Sequence, residues 1–177
     1  MSDLVPYAHA LNLYDIDPDF FVKIGIKYLL LDLDNTLDTH KDKTPSERAK
    51  NYIREIKNRG IKPIIISNNN YKRVKTYADE CEVEFLYRMG KPFAHKLKKF
   101  VKSLNTDTDY VIMVGDQLLT DVKVCKKVGI RCILTEKLWP GDQFITKFLR
   151  WIDMMRRKKY KSNGLLIDWR EIYGRIK

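Results

Sequence analysis

Cysteine is scarce in this chain of 177 residues: Cys81, Cys125 and Cys132 are isolated, odd in number and without CxxC spacing. That pattern argues against a zinc knuckle or a disulfide framework and leaves buried thiols as the default. Histidine is as thin, and His9, His40 and His95 form no metal-ligating motif. No apolar run approaches the roughly 20 residues that cross a bilayer. No basic-then-apolar segment opens the chain as a secretory signal would. A reducing, cytoplasmic setting is expected, with peripheral contact at the inner membrane face left open. No recognised RNA- or DNA-binding motif, internal repeat or long linker is present.

Acidic charge is also in deficit. There are 34 Lys and Arg against 23 Asp and Glu, giving a net charge of +11. Such a balance favours polyanionic surroundings: nucleic acid, an anionic membrane face or a phosphorylated substrate. The excess is uneven, since residues 142–177 carry 10 basic and 4 acidic side chains. The 44% hydrophobic content excludes a disordered chain. The length predicts a single domain over 1–177, with a lead-in at 1–25 and a basic C-terminal extension at 142–177.

What is present is alternation. Apolar runs at Tyr28–Leu31, Lys62–Ile66, Val83–Leu86, Tyr110–Val114 and Ile130–Leu134 read as buried parallel strands. Helical patterns separate them, beginning near Thr44, Tyr71, Phe93 and Leu118. Thr44-Pro45-Ser46-Glu47 predicts an N-cap at Thr44, Pro45 in the first helical position and Glu47 closing a capping box. The expected fold is α/β: a doubly wound, mostly parallel sheet in a three-layer Rossmann-like arrangement. In the extension, Phe144, Ile145, Phe148, Leu149, Ile152 and Met155 recur at helical spacing beside Trp151, which predicts a docked terminal helix.

The carboxylates concentrate at two strand ends. Asp32-Leu33-Asp34-Asn35-Thr36 follows the first strand, and Gly115-Asp116-Gln117-Leu118-Leu119-Thr120-Asp121 follows the fourth. Parallel strands bring their carboxyl ends into one crevice. Four pieces should therefore meet: Asp32 with Asp34, Ser67 with Asn68, Lys91, and Asp116 with Asp121. A phosphate dianion approaching a carboxylate nucleophile needs cations, and Mg²⁺ suits an oxygen-rich set. Lys91 supplies a fixed positive charge, while Ser67 and Asn68 can donate hydrogen bonds to non-bridging phosphate oxygens. Asp32 would attack phosphorus and Asp34 would protonate the leaving oxygen and then deprotonate water, dividing one displacement into two.

These motifs resemble those of haloacid-dehalogenase-superfamily phosphatases over roughly residues 26–135. The pattern DxDxT falls on Asp32 to Thr36, the motif serine on Ser67, the motif lysine on Lys91 and the last acidic motif on Gly115 to Asp121. The resemblance implies Asp32 as nucleophile and Asp34 as acid/base. It implies Asp32, the Asp34 backbone oxygen and Asp116 as Mg²⁺ ligands, with Asp121 either a further ligand or a group orienting metal-bound water. Within the superfamily the chain is similar to the small IIIA-type subfamily that includes bacterial and mitochondrial phosphatidylglycerophosphate phosphatases. The implied substrate is a lipid phosphate at an anionic membrane surface. The alternatives are phosphatases of nucleotides, nucleic-acid ends or phosphoproteins, and a non-enzymatic phosphate- or nucleic-acid-binding module. Short spacers between Leu37 and Thr44 and between Asn70 and Lys91 leave no room for an inserted cap, so the site should be capless, with His40 and His95 at its rim.

Overall fold

The computed structural model describes residues 3–139 and 147–176. A six-stranded sheet is built from β1 (Ala8–Ala10), β2 (Tyr28–Asp32), β3 (Lys62–Ile66), β4 (Glu84–Leu86), β5 (Val111–Gly115) and β6 (Arg131–Thr135). Their order is β1-β6-β5-β2-β3-β4, and every pairing is parallel. From β2 the chain winds outward through β3 to β4. It then crosses back to β5 and winds the other way. The reversal falls between β2 and β5, and their carboxyl ends therefore open the crevice in which α/β sheets bind ligands.

Alternation along the strands assigns the helices to two faces. Leu29 and Leu31 point to one core with α1 (Pro18–Lys23), α2 (Glu47–Asn58), α3 (Tyr71–Cys81) and α7 (Trp169–Ile176). Leu30 points to the other, with α4 (His95–Ser103), α5 (Lys123–Val128) and α6 (Lys147–Ser162). Both layers bury their strand neighbours completely, which explains why β2 and β5 read as continuous apolar runs. The three-layer α/β architecture is as expected.

Several local expectations are corrected. The lead-in supplies a sixth strand, because Ala8–Ala10 pairs along β6 and its His9 N–H also bonds the Ile167 carbonyl. The α2 helix is capped by Ser46, whose hydroxyl accepts the Ala49 N–H, so Thr44 is not the cap and no box forms with Glu47. The Ser46 N–H is itself held at 2.8 Å by the Asp38 carboxylate, which selects this residue over Thr44. Leu118–Val122 is a π-helical turn before α5 rather than regular α-helix.

The α6 helix docks, and of the expected stripe only Ile152 and Met155 have described side chains, the first partly buried and the second half exposed. Its buried positions include Asp153 and Tyr160, while Trp151, Met154 and Met155 are half exposed or more. Phe144 and Ile145 lie outside the described residues, as do the side chains of Phe148 and Leu149. The α7 helix was not anticipated and buries Trp169 against Phe20 with 5.5 Å between ring centroids. Among the described residues no helix is long and apolar enough to cross a membrane.

Candidate active site

β2 ends at Asp32, in register with Ile66 of β3, so Ser67 lies one residue beyond it on the neighbouring strand. Asp32 shares the strand face of Leu30 and therefore looks toward the α5 side. There it meets Lys91, whose Nζ lies 2.5 Å from Asp32 Oδ1 and 2.7 Å from Asp121 Oδ1. Asp32, Asp116 and Asp121 are all buried, and each offers an oxygen within 4.8 Å of the others.

Burial and charge act against one another here. Loss of solvent pushes the Asp32 carboxyl well above the usual carboxylate range, Lys91 pulls it down, and the like charges of Asp121 and Asp116 push it up again. Burial alone would depress Lys91. The Asp121 and Asp32 carboxylates overcome that and hold its ammonium above the ordinary lysine value. One ammonium offsets one of three converging carboxylates, so a divalent cation would neutralise the remainder. An all-oxygen, net-negative and enclosed donor set fits Mg²⁺.

The carboxyl end of β5 is shaped around Asp121. A Cβ on Gly115 would fall 2.5 Å from Asp121 Cγ, so only glycine lets this carboxylate pack against the strand. Asp121 Oδ2 accepts the Gln117 N–H at 3.1 Å, while Oδ1 is on Lys91. Both its oxygens are therefore engaged inside the protein.

The neighbouring loop is fixed from behind by α6. Arg157 bonds the Asp116 carbonyl and, at 3.0 Å, the Thr135 carbonyl. It is also ion-paired with Asp153 at 2.9 Å and with Glu136 at 3.1 Å. Asp153 accepts the Leu119 N–H at 3.2 Å. Arg157, one of the basic residues of the C-terminal extension, thus faces inward.

Asp34 stands apart from this group. Asn35 adopts a left-handed φ of 68°, which asparagine tolerates, and its N–H bonds the Asp38 carbonyl at 2.7 Å. The resulting tight turn directs Asp34 toward the start of α3. Asn69 Nδ2 donates to Asp34 Oδ2 at 3.1 Å, and Arg73 Nη2 donates to Oδ1 at 3.1 Å. The Asp34 carboxylate is thus outside the three-carboxylate cluster.

Ser67 is buried and its Oγ accepts the Asn69 N–H at 3.0 Å, which leaves the hydroxyl proton to donate. The side chain of Asn68, expected to contact phosphate, also engages the Lys91 backbone. Its Oδ1 accepts the Lys91 N–H at 2.8 Å and its Nδ2 donates to the Lys91 carbonyl at 3.0 Å. It clamps the backbone of the lysine. Neither connection holds an inserted cap, in keeping with the short spacers: a loop joins Asp38 to Ser46, and only α3 and β4 intervene between Asn70 and Arg88.

Sequence reasoning missed Asn69, Arg73 and Arg157 as parts of the site. Asn69 sat beside a recognised motif and was legible as a donor. Arg73 and Arg157 carried no signal in a chain with 34 basic residues.

Residues 14–129 match the family model described as haloacid dehalogenase-like hydrolase. Over 167 residues the chain is 31% identical to "Probable phosphatase YqeG" of Bacillus subtilis, covering 94% of this chain and 96% of that one. The fold is similar to the crystal structure of 3-deoxy-D-manno-octulosonate 8-phosphate phosphatase from Moraxella catarrhalis, a complex with magnesium, phosphate and the sugar acid. That match has a TM-score of 0.50 and 14% identity, over 83% of this chain and 97% of that one. The Yersinia pestis enzyme of the same name matches with a TM-score of 0.51 and 16% identity, over 67% and 77%.

Proposed function

The chain belongs to the haloacid dehalogenase-like hydrolases, and from that premise we propose that it is a Mg²⁺-dependent phosphate monoesterase acting on phosphatidylglycerophosphate. The observation that supports the phosphatase reading is the spatial separation of the Asp32 and Asp34 carboxylates. One carboxylate is buried against Lys91 inside a cation-demanding cluster. The other is at the mouth, held by Asn69 and Arg73.

In this mechanism an Asp32 oxygen forms a bond to phosphorus as the ester P–O bond breaks, and Asp34 gives its proton to the departing oxygen. Water then attacks the aspartyl phosphate, Asp34 takes the water proton, and inorganic phosphate leaves with Asp32 regenerated. Lys91 and the Ser67 hydroxyl face the charge that spreads over the transferring phosphoryl group. Asp32 and Asp116, with Asp121 shaping the pocket, would hold Mg²⁺, which supplies charge neutralisation for the approach of dianion to carboxylate. Asp121 better fits a residue that positions the lysine and the loop, since Lys91 and the Gln117 N–H already occupy its oxygens.

The lipid assignment, and with it placement in the IIIA-type subfamily, is supported by an uncapped mouth and by the outer face of α6. There Trp151, Met154 and Met155 are exposed beside Lys158 and Lys159. Aromatic and apolar side chains next to lysines suit the interface of an anionic bilayer. The test is a turnover panel: phosphatidylglycerophosphate in anionic vesicles, a nucleotide, a 5′-phosphorylated oligonucleotide, a phosphopeptide and a sugar phosphate, each with and without chelator. The expected result is the highest kcat/KM on the vesicle substrate and loss of activity on chelation. A higher kcat/KM on any soluble phosphate would overturn the lipid assignment. Undiminished turnover in metal-free buffer would overturn the mechanism.

A further inference from the structure

Both oxygens of Asp34 are held by one short segment, Asn69 to Arg73, at the start of α3. Asn70 caps that helix by accepting the Arg73 N–H at 3.0 Å, so the backbone carrying Arg73 is fixed where it must reach across. The guanidinium does more than pair with Asp34. Its Nη2 also donates to the Thr39 carbonyl at 3.2 Å, and its Nη1 bonds the Asp42 carbonyl. The loop between those carbonyls is already closed on itself, because Asp42 Oδ2 accepts the Thr39 N–H at 2.9 Å and its hydroxyl at 2.7 Å. Arg73 therefore fastens a compact loop, the helix start and the Asp34 carboxylate into one unit. Tyr77, one turn further along α3, bonds the Asp38 carboxylate and grips the same turn a second time.

We propose that Arg73 is a positioning residue for the acid/base step. It fixes the plane of the Asp34 carboxylate against the Thr39–Asp42 loop, so that the loop walls the leaving-group side of the site. Asn69 completes the hold from the other oxygen. This rests on the reading of Asp34 as the proton donor. The geometry requires arginine, because three acceptors in different directions are met by one planar fork and a lysine ammonium cannot span them.

The consequence separates a positioning role from a merely structural one. Proton donation matters for a poor leaving group such as an alkoxide and little for p-nitrophenolate, which departs without a proton. Arg73→Gln should therefore lower kcat/KM on a simple alkyl phosphate by about 30-fold and on p-nitrophenyl phosphate by no more than about threefold, since general acid catalysis contributes ~10²–10⁴. Arg73→Lys should recover only part of the loss. Asp34→Asn, measured beside it, should show the same selectivity in larger degree.

Equal losses on the two substrates in Arg73→Gln, with Asp34→Asn selective, would overturn the proposal and leave the acid/base assignment standing. Loss of selectivity in Asp34→Asn itself would overturn the acid/base assignment and the proposal together. Should Arg73→Gln not fold, as judged by circular dichroism, Asn69→Ala decides the matter. That change removes the bond to Oδ2 and the Asn69 Oδ1 acceptor of the Asn70 N–H but leaves the Arg73 contacts to the loop intact, and a uniform loss in it would overturn the proposal.

Discussion

Asp32 and Asp34 stand two residues apart, yet the fold treats them as belonging to different regions. Asp32 belongs to the floor, where its side chain is 10% exposed and its partner Lys91 3% exposed. Asp34 belongs to the rim, where its side chain is 23% exposed and its partners come from the start of α3. The floor gathers like charge and needs cations to hold it. The rim spreads its charge through neutral donors and a guanidinium that also braces backbone. The proposed mechanism uses this contrast, with the nucleophile on the floor and the proton shuttle at the rim, where water and leaving group pass. One strand end serves both because β2 stops at Asp32 and the left-handed Asn35 turns the chain.

That contrast can be broken from the floor first. Asp32→Asn should lower kcat by at least about 10⁴-fold, the scale on which nucleophile deletions fall, with an unchanged melting temperature. Steady-state turnover of the purified variant checks this, and a loss below tenfold would remove Asp32 as nucleophile.

Lys91→Met should destabilise the fold by about 3–5 kcal/mol in chelator, because Asp32 and Asp121 lose the cation between them. Added Mg²⁺ should restore part of this. Urea denaturation with and without the ion measures it, and no response to Mg²⁺ would contradict a shared cation site.

Gly115→Ala should cost about 1–3 kcal/mol by overpacking and weaken Mg²⁺ binding, since the methyl group displaces Asp121. Calorimetric titration of the ion reads the second effect.

Behind the floor, Arg157→Ala should reduce Mg²⁺ affinity by about tenfold through release of the Asp116 carbonyl, within the 10–100-fold range for groups that orient metal ligands. An unchanged affinity would make α6 a passive cover.

The smallest effect lies beyond the site. The His9 side chain and the Arg157 charge hold the Glu136 carboxyl below the model-compound value of 4.5. Its folded-state value is depressed, so its stabilisation is present above about pH 4.5 and is lost as pH falls through the lower folded value. Glu136 is 45% exposed, and after solvent screening Glu136→Gln should cost no more than about 0.5 kcal/mol at neutral pH. Denaturation of both proteins at low pH should bring them together.

Much of the centre was legible because its chemistry is local. Two acids one residue apart at a strand end, a lysine before proline and a glycine before an acidic loop each carry their reason in a few neighbouring residues. The clamp of Asn68 on the Lys91 backbone was not legible, because the two residues stand 23 positions apart. Ser46 displaced Thr44 as cap because Asp38, eight residues upstream, selects the N–H it holds. β1 escaped because Ala-His-Ala has little intrinsic strand preference and is ordered by β6.

The sequence by itself determined the parallel α/β alternation, the carboxyl-end placement of Asp32, Asp34, Ser67, Lys91, Asp116 and Asp121, and the family to which the chain belongs. Apolar period and strand-end chemistry act over a few residues, and one sequence displays them directly. Only the tertiary structure decided which basic side chains turn inward. Arg73 reaches Asp34 across 39 positions and Arg157 reaches the Asp116 carbonyl across 41. Nothing in their own neighbourhoods distinguishes them from the solvated arginines and lysines around them. A guanidinium chooses its partners by where buried acceptors remain unmet, and that is settled only when the helices pack.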